Sequence, residues 1–171
     1  TGVQTCALPI LAAPRAAAID TARLVPKAVV TAGAPGPDGP LLKRHRPPSF
    51  IYEVCVRTFS MRNPAIAPPL RGTVAALGAP ATIEHLVKLG VDTVEIMPLA
   101  VSIDEAHLAR RGLRNVWRYN PVVFMAADPW LAPGGLSEIK TAVAALAKAG
   151  IASVLDVVFN HTGESDAGGP T

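Results

Sequence analysis

One six-residue pattern occurs twice in this chain and constrains its fold more than any other feature. Leu86-Val87-Lys88-Leu89-Gly90-Val91 is matched sixty positions later by Leu146-Ala147-Lys148-Ala149-Gly150-Ile151. Each copy ends a helical stripe, with Ile83, Leu86, Val87 and Leu89 in the first and Ile139, Val143, Leu146 and Ala147 in the second. Apolar residues at that spacing mark a helix face laid on a core, and a glycine just beyond the last of them suits a helix C-terminus. The spacing therefore predicts helices over residues 81–89 and 136–149. Each glycine is followed by an apolar run, residues 91–97 (stopped by Pro98) and residues 151–159. Residues 50–57, dense in β-branched and aromatic side chains, read as an earlier strand. The order is then β-α-β-α-β. Apolar strands alternating with helices predict a parallel sheet covered on its faces, which leaves a doubly wound sheet or a (β/α)₈ barrel. The connection from residue 99 to 133 is far longer than the usual four to six or so residues, and such loops commonly carry function.

Composition excludes several classes. Half of the 171 residues are apolar, enough for a real core and against a fully disordered chain. No apolar run approaches the roughly 20 residues of a membrane span; Arg15, Lys27, Lys88 and Lys148 interrupt the candidates. No basic stretch followed by an apolar run and a cleavage site opens the chain, so no signal peptide is predicted. A net charge of +3 does not call for nucleic acid. Two cysteines, Cys6 and Cys55, cannot form a disulfide framework, and Cys55 reads as a small buried hydrophobe in mid-strand. Residues 1–49 are rich in Ala, Pro and Gly with little periodicity. Their turn-forming stretch 33–40 and the basic run Lys43-Arg44-His45-Arg46 before Pro47 and Pro48 read as a linker.

Chemistry concentrates in Asp156-Val157-Val158-Phe159-Asn160-His161. A carboxylate inside an apolar strand needs a specific partner, such as an arginine, a tyrosine or a ligand hydroxyl. Asn160 and His161 fall where that strand should end, and in parallel α/β folds that end faces the ligand. Their amide and imidazole can bind sugar hydroxyls, water or metal; a capped strand end with a satisfied Asp156 is the alternative. Trp117 and Tyr119, in a chain with only 5% aromatic residues, offer a stacking platform for a ring or a small cluster packing the loop. Glu95 reads as a surface residue or a ligand-side acid. Asp104-Glu105 and Arg110-Arg111 read as solvated loop charges, and His45, His85 and His107 as surface groups. Pro133-Gly134-Gly135 reads as a tight turn into a helix rather than an anion site. No G-x-G-x-x-G follows a strand, against a dinucleotide fold.

The segment from Asp156 to His161 resembles the first short motif of the α-amylase superfamily, glycoside hydrolase family 13. Residues 51–57 look like that family's first barrel strand. Leu70-Arg71-Gly72-Thr73, residues 86–98, Gly112-Leu113-Arg114-Asn115, Trp117, Tyr119-Asn120-Pro121 and Asn160-His161-Thr162 follow in order. As a set they resemble bacterial glycogen debranching enzymes of the isoamylase type. Asp20-Thr21-Ala22 and residues 25–30 resemble the segment that joins such an enzyme's N-terminal β-sandwich to its barrel.

The resemblance, over residues 19–171, implies a partial (β/α)₈ TIM barrel: its first three strands and two helices, preceded by an irregular linker from a β-sandwich domain. It implies that Tyr119 stacks on the sugar at the cleavage subsite, that His161 hydrogen-bonds a hydroxyl of that sugar, and that Asp156 orients neighbouring groups. Asn160 supports the loop and in some relatives touches calcium. The family hydrolyses with retention, using an aspartate nucleophile and a glutamate acid/base; both are expected beyond Thr171. The implied partner is an α-glucan (glycogen or limit dextrin), with no cofactor, no nucleic acid, no membrane and a cytoplasmic location. Three positions depart from the pattern. Arg118 stands where relatives commonly carry glycine and either crowds the sugar site or points to solvent; Thr58 also replaces a common glycine, and Cys55 often corresponds to histidine. Residues 1–10 resemble a translated sequencing adapter. The expected organisation is adapter at 1–10, interdomain segment and linker at 11–49, and incomplete catalytic barrel at 50–171. Alternatives are another enzyme of the superfamily (branching enzyme, isoamylase or trehalose-releasing hydrolase), a non-catalytic carbohydrate-binding chain, and more distantly a metal hydrolase barrel using Asp156 and His161.

Overall fold

The computed structural model describes residues 49–163. The expected adapter, the expected join to a β-sandwich and nearly all of the expected linker fall at residues 1–48, outside the described residues.

Three short parallel strands form the centre: β1 (Ile51–Val54), β2 (Thr93–Ile96) and β5 (Ala152–Leu155), in the spatial order β1-β2-β5. Their register sets Glu53 beside Glu95 and Glu95 beside Val154. Two helices return the chain between them, α2 (Pro80–Leu89) and α4 (Gly135–Lys148). This is the β-α-β-α-β order of the sequence.

The repeated hexapeptide is one physical device used twice. The Val91 N–H donates to the Leu86 carbonyl and the Gly90 N–H to that of Val87; the Ile151 N–H donates to Leu146 and the Gly150 N–H to Ala147. These paired bonds are a Schellman cap, which satisfies the last carbonyls of a helix and needs a left-handed residue at the glycine. Gly90 has φ +75° and Gly150 φ +80°.

Alternation along the strands separates two faces. Val54, Val94 and Ile96 are buried in one core with Leu86 and Leu146 from the helices. The helix faces are narrower than their stripes. Val87, Leu89 and Ala147 lie exposed, while Thr82 and Ala142 are buried. Gly78, in a 3₁₀ turn (Val74–Gly78) before α2, lets α4 come close: a Cβ there would sit 3.0 Å from the Ala142 Cα.

All three predicted strands are shorter than their apolar runs. The first gives way to a single helical turn, α1 (Val56–Phe59), so Cys55 is not in mid-strand. It sits half-buried at the start of α1, its thiol 3.6 Å from the Val116 carbonyl. The third strand ends at Leu155, so Asp156 follows the strand instead of lying within it, and Val157 and Phe159 are exposed. Asp156 keeps one ladder bond, from its N–H to the Ile96 carbonyl.

The long connection has structure of its own. β3 (Ala100–Ser102) pairs antiparallel with β4 (Pro121–Ala127), and a short helix, α3 (Ala106–Ala109), lies between them.

Candidate functional site

The chain places Tyr119 and Asp156 at the C-terminal end of the parallel strands from two separate segments, the connection before β4 and the residue after β5. The Tyr119 phenol donates to the Asp156 carboxylate. Both are half-buried, so Asp156 has the specific partner that its apolar surroundings require, and it is a tyrosine. The Nε2–H of exposed His161 donates to the Tyr119 carbonyl (2.8 Å), which leaves Nδ1 of a neutral ring free to accept. Three predicted site residues are thus one hydrogen-bonded cluster. Asn160 lies exposed in the turn beside them.

The cluster is acidic on its strand side. The Tyr119 phenol is pushed up to about 12, first by its bond to Asp156, then by burial, then by the negative charges of Asp156, Glu53 and Glu95. Each of these favours the protonated phenol. Glu95 is half-buried in register with Glu53, so it bears on the site and is not a remote surface charge.

Arg118 neither crowds Tyr119 nor reaches solvent. It is 5% exposed and turned away from the cluster, its guanidinium on Asp104 (3.1 Å), Asp128 and the Ser102 carbonyl. Asp104 also accepts from the Asn115 N–H, and Glu105 from the Asn115 side chain (2.8 Å). These two acids are therefore anchors of the loop and not solvated charges. Asp128 and Trp130 were missed from sequence. The Trp130 ring lies near three guanidinium groups, of Arg57 (4.7 Å), Arg114 (4.9 Å) and Arg118 (5.7 Å). Trp117 is well exposed, and the ring offered to the cluster is that of Tyr119 alone. At the start of α4, Glu138 accepts from the Gly134 and Ala75 N–H groups, so the chain's own carboxylate occupies that helix end, as the tight-turn reading expected. Among the described residues no group of three or more His, Cys, Asp or Glu could hold a metal ion.

No protein-family model matches the chain. It is 49% identical over 128 residues to a glycogen debranching enzyme of Yersinia pestis, covering 72% of this chain and 19% of that protein. It is 41% identical over 160 residues to the glycogen operon protein GlgX homolog of Haemophilus influenzae, covering 89% of this chain and 24% of that one. The chain is a homologue of bacterial glycogen debranching enzymes. This debranching-enzyme homologue spans about a fifth to a quarter of the length of the curated relatives it matches.

Among solved structures it is similar to type I pullulanase of Bacillus subtilis, solved with maltose (TM-score 0.55, 24% identity, 80% of this chain and 20% of that one). It is also similar to an α-amylase of Lactobacillus plantarum (TM-score 0.51, 24% identity, 67% and 23%). At that identity the likeness shows the fold: a mixed α/β segment shared with the barrel enzymes of the α-amylase family. Among the described residues of the homologue, no helix is long and apolar enough to cross a membrane.

Proposed function

We propose that the chain is the N-terminal part of the catalytic barrel of an α-glucan debranching enzyme, cytoplasmic and acting in glycogen catabolism. The observation that carries this reading is the Tyr119–Asp156–His161 cluster at the strand ends, in a chain homologous to debranching enzymes. In this reading β1, β2 and β5 are the first three barrel strands, and the face bearing Glu53 and Glu95 looks into the barrel. Tyr119 lays its ring against a glucose unit, its hydroxyl held by Asp156. His161, anchored through Nε2, offers Nδ1 to a hydroxyl of the same sugar. Asp156 orients the phenol, and Asn160 supports the turn.

The reaction is retaining hydrolysis of an α-1,6-glucosidic branch linkage. One carboxylate attacks the anomeric carbon while a second carboxylic acid protonates the departing oxygen. Water then cleaves the glycosyl-enzyme, the two carboxyl groups standing about 5–5.5 Å apart. The nucleophile and the acid/base belong beyond Thr171, so the 171-residue chain binds glucan without cleaving it.

Calorimetric titration of the chain with maltohexaose tests the binding role. Wild type is expected to bind, and Tyr119→Ala to bind at least about tenfold more weakly. No heat from wild type, or equal affinity in both, overturns the assignment of these residues. Reducing sugar released from limit dextrin by the chain alone overturns its inactivity.

A further inference from the structure

Residue 118 is the only non-glycine among the described residues with positive φ, at +63°. That conformation is disfavoured for any residue with a Cβ, and here it carries a long cation into the interior. The backbone is held on both sides. The Arg118 N–H donates to the Asn115 side-chain carbonyl (3.1 Å), and the Ser102 hydroxyl donates to the Arg118 carbonyl (2.8 Å). The guanidinium binds Asp104, Asp128 and the Ser102 carbonyl. One residue thereby ties the end of β3, the loop after it and the segment after β4. The very next residue is Tyr119, whose phenol and carbonyl make the two bonds of the cluster. Arg118 and Tyr119 thus point to opposite sides of the connection, one locked in the interior and one presented at the strand ends.

We propose that Arg118 is a positioning residue: its buried fork on Asp104 and Asp128 fixes the left-handed turn that presents Tyr119 to Asp156 and His161. The inference deepens the proposed function, since it is the sugar-facing cluster that Arg118 orients. The geometry explains why the cation is buried. A planar guanidinium reaches two carboxylates and a carbonyl at once, which an ammonium cannot reproduce with fixed geometry. It also makes glycine the sharpest substitution, because glycine keeps the turn and removes only the fork.

The test reads Tyr119 directly, in the full 171-residue chain without sugar. The chain has two tyrosines, so with tyrosine labelled at ¹³Cζ and Tyr52→Phe as background the remaining signal is that of Tyr119. Asp156→Ala sets the shift for a lost hydrogen bond. Arg118→Gly is expected to move the signal at least about half that far, and Arg118→Lys by less. A folded Arg118→Gly chain that melts earlier but leaves the Tyr119 signal in place makes Arg118 merely structural and overturns the proposal. If Arg118→Gly does not fold, Asp104→Asn at the half-buried end of the network takes its place, with the same two outcomes. Titration with maltohexaose separates the two readings: a wild-type chain that binds no sugar while Arg118→Gly moves Tyr119 defeats the proposed function and leaves the positioning role standing.

Discussion

Tyr119 keeps its proton because three carboxylates face it and one of them accepts it, which holds the phenol at about 12 instead of the usual 10. The folded state therefore binds this proton more tightly than the unfolded state does. Its contribution to stability is complete below about pH 10 and is lost as pH rises from 10 to about 12. Urea melts across that window should show stability falling more steeply in wild type than in Tyr119→Phe, and parallel slopes would deny the bond its strength. On the other side of the turn, Arg118 and Asp128 are 5% and 2% exposed. Without Asp128 the buried guanidinium keeps only the half-buried Asp104 and the Ser102 carbonyl, so the cost should approach, from below, the value of about 3–5 kcal/mol for breaking a buried ion pair. Asp128→Ala should lower the urea midpoint accordingly; a loss under about 1 kcal/mol would mean that water reaches Arg118. Asp156 and His161 stand out in the sequence because a polar cluster interrupts an apolar run. Asp128 does not, since nothing local distinguishes it from any loop aspartate, and its importance comes from Arg118, ten residues away in sequence.

The elements follow from local rules where those rules are strong. Both helix ends at Gly90 and Gly150 were legible, because only glycine enters the left-handed region freely and the apolar run resumes at once behind it. A Cβ on Gly90 would meet nothing within 4 Å, so Gly90→Ala should destabilise by the backbone term alone, about 1–2 kcal/mol. Circular-dichroism melts would check this, and an unchanged midpoint would show the cap to be dispensable. Strand lengths were overread because an apolar run marks burial and not hydrogen-bonded pairing. β1 stops where Val56 turns into α1, and β5 stops at Leu155, opposite Ile96, the last residue of β2. The helix stripes were overread too, with Val87, Leu89 and Ala147 left outside the covered face. The antiparallel pair of β3 and β4 was not anticipated, since its register is irregular and Val123, Phe124 and Met125 in β4 are exposed.

At the scale of the whole molecule, the three-stranded sheet has an outer edge on β1 and another on β5 among the described residues. Leu155, Val157 and Phe159 are exposed on or just beyond β5, and Phe159 lies against Phe124 with ring centroids 5.9 Å apart. Open edges with apolar side chains invite association. The chain should self-associate as concentration rises in sedimentation velocity, and Val157→Ser with Phe159→Ser should reduce that. A monodisperse monomer with cooperative melting would count against it.

The sequence by itself determined the β-α-β-α-β order, the two capped helices and the residues of the candidate cluster, because helix caps, apolar periodicity and a polar break in an apolar run act over a few neighbouring residues. Only the tertiary structure decided that Tyr119 meets Asp156, that His161 holds the Tyr119 carbonyl, and that Arg118 turns inward onto Asp104 and Asp128. Those contacts join segments 10 to 42 residues apart, and their energy depends on burial and geometry that exist only once the chain has folded.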